Sequence, residues 1–224
     1  MTSRSDIFAD IRRALHVTGA EAPRRRAVED RLDHAPKGVI PTRGQGDVTA
    51  RIALFRDEVE RVSASVAEVD VGSDVPGAIA TYLRERGLPT KIRMGADPHL
   101  AAMPWATTDI EVLNGRAEPS DRVCVSQAFG AVAETGTLVL VSGQDNPTTL
   151  NFLPDTHIVV LGARDIVGDY ERIWQKLRAA YGKGLMPRVV NFITGPSRSA
   201  DIGHSLLLGA HGPRMLHIIV IGEG

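Results

Sequence analysis

The sequence has one cysteine, Cys124, among its 224 residues. A single thiol cannot form an internal disulfide, which fits a reducing compartment such as the cytoplasm. Because iron–sulfur clusters are usually held by several thiolates, we expect no cluster and no other cofactor in this chain. Cys124 lies in the apolar run 123–125, which predicts a buried and unreactive thiol.

The chain also lacks an excess of charge and any long hydrophobic run. Its 26 basic and 27 acidic residues give a net charge of -1. Nucleic-acid binding depends on many phosphate contacts, so this balance does not favour it. No stretch approaches the length of a transmembrane helix, and the polar N-terminus does not resemble a signal peptide. We therefore predict a cytoplasmic protein with no nucleic-acid or membrane partner.

Several common cofactor and catalytic motifs are missing. No glycine-rich run ends in Lys-Ser or Lys-Thr, as a P-loop would. The Gly-Gln-Gly sequence at residues 44–46 follows no predicted strand, so it does not indicate a dinucleotide site. There is no HExxH sequence and no Cys/His cluster, so we expect no metal site. Residues 195–199 lack the closing glycine of a nucleophile elbow.

Apolar strands alternate with amphipathic helices from about residue 65 onward. The predicted strands are residues 65–69, 90–94, 110–113, 123–126, 137–141, 157–161, 189–193 and 216–221. The predicted helices of this region are residues 76–86, 167–181 and 200–208. Nearly continuous apolar strands between helices are typical of an α/β fold with a largely parallel sheet and helices on both faces.

The first part of the chain has a different pattern. Helical spacing of apolar residues predicts helices over residues 5–17 and 47–62. The intervening stretch, 19–46, is rich in proline, glycine and charge and predicts a linker or a surface arm. We therefore divide the chain into an N-terminal helix with its linker arm, residues 1–46, and a single α/β domain, residues 47–224.

One candidate ligand site is the polar turn that begins at Gly195, between a predicted strand and a predicted helix. Open α/β sheets place ligands in such turns. The candidate ligand residues of this turn are Gly195, Ser197, Arg198, Ser199 and Asp201. Ser197, Arg198 and Ser199, together with the N–H groups of a helix start, would hold a phosphate or a carboxylate. The structural alternative is that Ser199 caps the helix, Asp201 complements its dipole and Arg198 pairs with Asp201 or Glu134.

A second candidate is Glu134, which precedes Thr135, Gly136 and Thr137 at the start of a buried strand. Burial would raise the pKa of this carboxyl unless a cation or N–H groups hold its charge. Glu134 is a candidate nucleophile, base or substrate-orienting group, and the three following residues are candidate ligand contacts. The alternative is a structural glutamate that pairs with an arginine. His211, placed on a loop by flanking glycines, is a candidate acid–base residue or a histidine bonded to a backbone carbonyl.

Three segments together resemble the lactate-utilisation domain family. They are AETGTLVL at residues 133–140, HIVVL at residues 157–161, and GPSRSADIGHSLLLGAHGPRMLHIIVI at residues 195–221. The resemblance covers residues 45–224. It implies a fold similar to the group of ribose-5-phosphate isomerase, glucosamine-phosphate deaminase and CoA-transferases. It also implies a place in a three-protein system that oxidises L-lactate to pyruvate.

In that system the partner proteins carry the iron–sulfur clusters, which agrees with the single cysteine of this chain. The resemblance therefore implies a non-redox subunit that holds a small carboxylate or phosphate and acts with those partners. Whether the chain is itself an enzyme stays open.

Two other functions also stay open. In the CoA-transferase relatives a glutamate attacks an acyl-CoA, but Ala-Glu-Thr-Gly at residues 133–136 departs from their Ser-Glu-Asn-Gly pattern. A stand-alone enzyme acting on a phosphorylated or CoA-linked acid would use Glu134 as nucleophile or base. Arg198 with Ser197 and Ser199 would then bind the anion. A module that senses a metabolite is the remaining alternative.

Overall fold

The computed structural model describes residues 3–200 and 206–222. The chain forms two compact units, Met1–Ile40 and Pro41–Gly224. The predicted domain boundary after residue 46 lies a few residues beyond this division. Among the residues described, no helix combines the length and the apolar character needed to cross a bilayer.

The N-terminal unit contains helices α1 (Arg4–Ala14) and α2 (Ala22–His34), and neither buries a side chain. A capping box begins α1, because Ser3 accepts the Asp6 N–H and the Asp6 carboxylate accepts the Ser3 N–H. Helix α2 lies within residues 19–46, the stretch predicted as a linker or a surface arm, and no helix was predicted there. Its proline lies in the first turn, where a missing N–H costs nothing.

The second unit contains five helices and twelve strands within the described residues. The helices are α3 (Val48–Arg61), α4 (Val75–Glu85), α5 (Pro98–Ala101), α6 (Thr149–Phe152) and α7 (Tyr170–Tyr181). The strands are β1 (Ser65–Val69), β2 (Lys91–Met94), β3 (Glu111–Asn114), β4 (Val123–Gln127), β5 (Gly130–Val132), β6 (Thr137–Val141), β7 (Thr156–Gly162), β8 (Ile166–Val167), β9 (Val190–Ile193), β10 (Arg198–Ala200), β11 (Leu206–Leu208) and β12 (Met215–Ile221).

Six parallel strands form the main sheet in the order β1-β12-β7-β4-β2-β3. Ile218 of β12 lies between Val66 of β1 and Val159 of β7. The central strands are apolar along nearly their whole length because both faces of the sheet are covered. The predicted α/β fold with a largely parallel sheet is therefore confirmed.

A second sheet, in the order β8-β5-β6-β9, was not predicted. In it β6 pairs antiparallel with both β5 and β9. The predicted strands 137–141 and 189–193 therefore form, but they belong to this sheet and not to the parallel one. Apolar runs cannot reveal which sheet a strand joins, since pairing depends on contacts between distant parts of the chain.

Two main clusters of apolar side chains hold these layers together. On one face of the main sheet, Ile79 and Leu83 of α4 pack with Ile158 and Ile219. On the other face, Phe55 and other side chains of α3 and the second sheet pack against β7 and β12. The outer face of the second sheet is covered by α7. Helices thus cover both faces of the main sheet, and the second sheet lies on the same face as α3.

The prediction of a helix over residues 200–208 is wrong at the described positions. Arg198–Ala200 and Leu206–Leu208 form an antiparallel hairpin, with Ser199 opposite Leu207. Residues 201–205, which include Asp201, lie outside the described part of the chain. A short apolar run such as Leu-Leu-Leu is compatible with a strand as well as with a buried helix, so the sequence alone does not distinguish the two structures. Ser199 consequently caps no helix here.

Candidate functional site

The turn after β9 begins at Gly195, whose φ of 84° is in the left-handed region. A Cβ at this position would lie 2.8 Å from Cγ2 of Val62. Glycine is therefore required both by the backbone conformation and by the close approach to the end of α3. Because β9 belongs to the second sheet, the rule that places ligands at the carboxyl ends of parallel strands does not apply to this turn.

Ser197 holds this turn to the loop that precedes β12. Its N–H donates to the Pro213 carbonyl at 2.8 Å, and its carbonyl accepts from the Gly209 N–H at 3.0 Å. Its hydroxyl oxygen accepts from the His211 N–H at 3.3 Å. The turn and the loop therefore form one wall, and two predicted ligand residues, Ser197 and His211, lie side by side in it.

A cavity of about 240 Å³ lies beneath this wall, at the amino-terminal ends of β7 and β12. We call it the turn cavity. Its polar lining combines predicted and unpredicted residues, namely Asn151, His157, Thr194, Gly195, Ser197 and His211. Three predicted site residues are thus brought together around one cavity.

The turn cavity contains a buried polar group that the sequence interpretation missed. His157 is 1% exposed, and its Nε2 lies 3.0 Å from Oγ of Ser126, which in turn donates to Asn151 Oδ1 at 3.4 Å. This arrangement makes Nε2 the protonated nitrogen, since the Ser126 oxygen is free to accept. Nδ1 has no hydrogen-bond partner among the described residues. The sequence did contain one indication of this polar group, because Ser126 and His157 are polar residues within predicted core strands.

Burial lowers the pKa of His157 to about 3. The imidazole is therefore neutral at physiological pH, and Nδ1 is a hydrogen-bond acceptor. A buried acceptor without a donor is costly in a folded protein. A ligand that brings a hydroxyl or an N–H to this nitrogen would remove that cost.

Arg198 does not line the turn cavity. Its guanidinium donates to the Val62 carbonyl at 2.6 Å and also bonds the Ser63 hydroxyl. It thus binds a carbonyl at the C-terminal end of α3, a frequent position for a cationic side chain. Among the described residues Arg198 contacts no carboxylate and does not join the predicted anion clamp at the turn cavity, and Asp201, one of its two predicted partners, lies outside the described part of the chain.

Glu134 lies in a single 3₁₀ turn, Ala133–Thr135, and is 6% exposed. Its Oε2 has no hydrogen-bond partner among the described residues. Burial raises the pKa of this carboxyl, and the nearby Asp169 carboxylate raises it further. A hydrogen bond from the Tyr170 backbone N–H and the charge of Arg43 act in the opposite direction. Glu134 does not line the turn cavity.

A chain of hydroxyl groups links the Glu134 turn to the turn cavity. Thr137 Oγ1 lies 2.7 Å from Thr135 Oγ1, 2.9 Å from the Tyr170 hydroxyl and 2.7 Å from Thr194 Oγ1. Thr194 lines the cavity, and it follows the strand that pairs with β6. The two predicted motifs are therefore neighbours through hydroxyl groups, although Glu134 and Arg198 lie apart from the cavity.

This fold and its sequence define a class of protein. The sequence model described as the LUD domain matches residues 52–221, so the chain belongs to the LUD domain family. A crystal structure of a DUF162 family protein from Deinococcus radiodurans is similar to this fold, with a TM-score of 0.62 and 26% sequence identity. The match covers 79% of this chain and 99% of that one.

Among curated proteins the chain is similar to lactate utilization protein C from several bacteria. It is 42% identical over 93 residues to that of Geobacillus sp. strain WCH70, a match covering 41% of this chain and 39% of the relative. It is 37% identical over 119 residues to that of Halalkalibacterium halodurans, covering 52% and 51%. The matched segment thus spans about half or less of these relatives' length.

Proposed function

We propose that this chain acts in lactate utilisation, as a subunit that carries no redox group and holds a small carboxylate. Partner proteins with iron–sulfur clusters would carry the electrons. The observation that carries the proposal is the similarity, at 32–42% identity, to relatives named lactate utilization protein C. The single buried cysteine supports the division of labour, because clusters usually need several thiolates.

The turn cavity supports a small hydroxy acid as the ligand. Hydroxyl groups of Thr194 and Ser197 and the side chain of His211 can donate to a carboxylate. Nδ1 of His157 can accept from the ligand's hydroxyl. No lysine or arginine side chain is among the described lining residues, so we expect the carboxylate to be bound weakly.

A binding series tests this ligand assignment. L-lactate should raise the melting temperature of the full chain more than propionate does, because propionate has no hydroxyl for His157. Ser197→Ala should reduce the shift, whereas Ser199→Ala should not, since Ser199 lies in the neighbouring hairpin outside the cavity. Equal shifts with lactate and propionate would refute the ligand assignment.

A growth experiment tests the role in the cell. Deleting the gene should prevent growth on L-lactate but not on glucose, and the wild-type gene should restore it. Unimpaired growth of the deletion strain on L-lactate would contradict the proposed function. A different pair of results would favour a metabolite sensor. The purified chain would bind lactate without converting it, and the deletion strain would still grow on L-lactate.

A second candidate function is acyl transfer at Glu134, favoured by a carboxylate oxygen, Oε2, that has no hydrogen-bond partner among the described residues. Its oxygen would attack the carbonyl of an acyl-CoA, forming an anhydride and breaking the C–S bond to release the CoA thiolate. With 6% of the residue exposed, the Glu134 turn would have to open. Mass spectrometry after incubation with acetyl-CoA should then find an adduct that Glu134→Gln abolishes, and no adduct would exclude this function.

A further inference from the structure

A second cavity, of about 580 Å³, lies at the other end of the main-sheet strands, along the edge formed by their carboxyl ends. The carboxyl ends of β1, β12, β7 and β4, four adjacent strands, lead into its walls through the segments that begin at Gly72, Gly222, Gly162 and Gln127. We call it the edge cavity. This is where open α/β sheets bind ligands, and its volume is in the ordinary range for organic ligands. None of the predicted site residues that the structure describes lines it.

The edge cavity is lined by both apolar and polar side chains. Met103 and Ile221 are apolar, whereas Ser73, Gln127 and Arg164 supply polar groups. Oε1 of Gln127 is buried and has no hydrogen-bond partner among the described residues. It is an acceptor that needs a donor from a ligand.

Charged residues of both signs, Arg164 and Asp165, line the cavity. Asp165 forms an ion pair with Lys176, which offsets its negative charge. A guanidinium has five N–H donors, so Arg164 can bind a phosphate while it keeps another partner. The cavity therefore offers a cation for an anionic group, a buried acceptor for an N–H and an apolar surface for a flat ring.

We propose that the edge cavity binds an adenosine phosphate. The adenine ring would lie against Met103 and Ile221, its exocyclic amine would donate to Gln127 Oε1, and the phosphate would bind Arg164 and the Ser73 hydroxyl. This site lies at the opposite end of the sheet strands from the turn cavity, so it does not depend on the proposed role in lactate utilisation. The same chemistry is present in a free nucleotide and in the adenosine portion of a larger cofactor.

Calorimetric titration of the full chain with ADP tests the proposal. We expect saturable binding of one ADP per chain. Inosine diphosphate, which has no exocyclic amine, should bind about tenfold more weakly because one hydrogen bond to a buried acceptor is lost. A parallel titration with coenzyme A shows which source of the adenosine phosphate binds more tightly, and binding of either one supports the site.

A matched pair of variants locates the site. Ala102 lines the edge cavity and is exposed, whereas its neighbour Ala101 is exposed but does not line it. Ala102→Trp should abolish ADP binding, and Ala101→Trp should leave it unchanged. Both variants should keep the wild-type melting temperature and circular-dichroism spectrum, which shows that they fold whether or not the chain binds L-lactate.

Three results would overturn the assignment. These are no binding of ADP or coenzyme A in the millimolar range, equal affinity for ADP and inosine diphosphate, and equal loss of binding in the two tryptophan variants. A protein that binds lactate but neither adenosine compound would refute the edge site alone.

Discussion

Replacing Gly136 by alanine should destabilise the protein through two separable effects. The residue has a φ of 64°, and a left-handed conformation costs an alanine about 1–2 kcal/mol. A Cβ here would also lie 2.8 Å from the Val59 nitrogen and 2.9 Å from Glu58 Cβ. Such crowding of a packed site costs about 1–3 kcal/mol. We therefore expect Gly136→Ala to lower the free energy of unfolding by about 2–5 kcal/mol.

Gly87→Ala is the matched control for this prediction. Gly87 has a similar φ of 62°, but its Cβ would meet nothing within 4 Å. Only the conformational cost applies, so the loss should be about 1–2 kcal/mol. Urea unfolding followed by circular dichroism measures both variants against wild type. Equal losses in the two variants would refute the argument that the approach of α3 to the Glu134 turn makes glycine necessary.

Three further predictions concern buried polar groups. Burial lowers the pKa of His217 to about 4 and that of His157 to about 3, so the folded state binds fewer protons than the unfolded state, in which histidine titrates near pH 6.5. Stability should be complete above about pH 6.5 and fall as the pH drops toward 4, and His217→Gln should flatten the profile of melting temperature; an unchanged profile would contradict this. Burial raises the pKa of the Cys124 thiol to about 12, so a disulfide reagent should label it only in denaturant, and rapid labelling of the native protein would contradict its burial. Asp121 accepts from Arg93 Nε at 2.8 Å, and their side chains are 7% and 13% exposed. Asp121→Ala should therefore cost about 3 kcal/mol in urea unfolding, whereas a loss below about 1 kcal/mol would show that the pair is effectively solvated.

The central strands of the main sheet, β4, β7 and β12, could be predicted closely because burial on both faces makes them largely apolar. The prediction of 65–69 coincides with β1, and 157–161 differs from β7 by one residue at each end. Helix α3 was also predictable, since Asp47 accepts the Ala50 N–H as its N-cap. These features depend on local patterns that the sequence contains directly.

Features that depend on distant pairing could not be predicted in the same way. Residues 206–208 form a strand because residues 198–200 pair with them, and the apolar run alone allows a helix equally well. Helix α2 has little apolar character and no buried side chain, so no periodic pattern marked it. The division into two sheets likewise appears only when strands pair.

The candidate site was likewise predictable only where it depends on local sequence. Gly195, Ser197 and His211 were predicted from local turn chemistry, and the fold brings them to one cavity. His157 and Ser126 meet only because β7 and β4 are neighbours in the main sheet. Their roles depend on a cross-strand contact and on burial, and neither is visible in the residues taken one at a time.

The position of β12 in the main sheet has a consequence for biosynthesis. Strand β1 lies at the edge of the sheet, and its neighbour there is β12, with Ser65 opposite His217. The ribosome makes β1 long before β12, so β1 must wait unpaired while the intervening segments emerge and fold. Such non-local pairing slows folding and leaves an apolar strand exposed. Chaperone dependence of the nascent chain should therefore end only when β12 has left the exit tunnel.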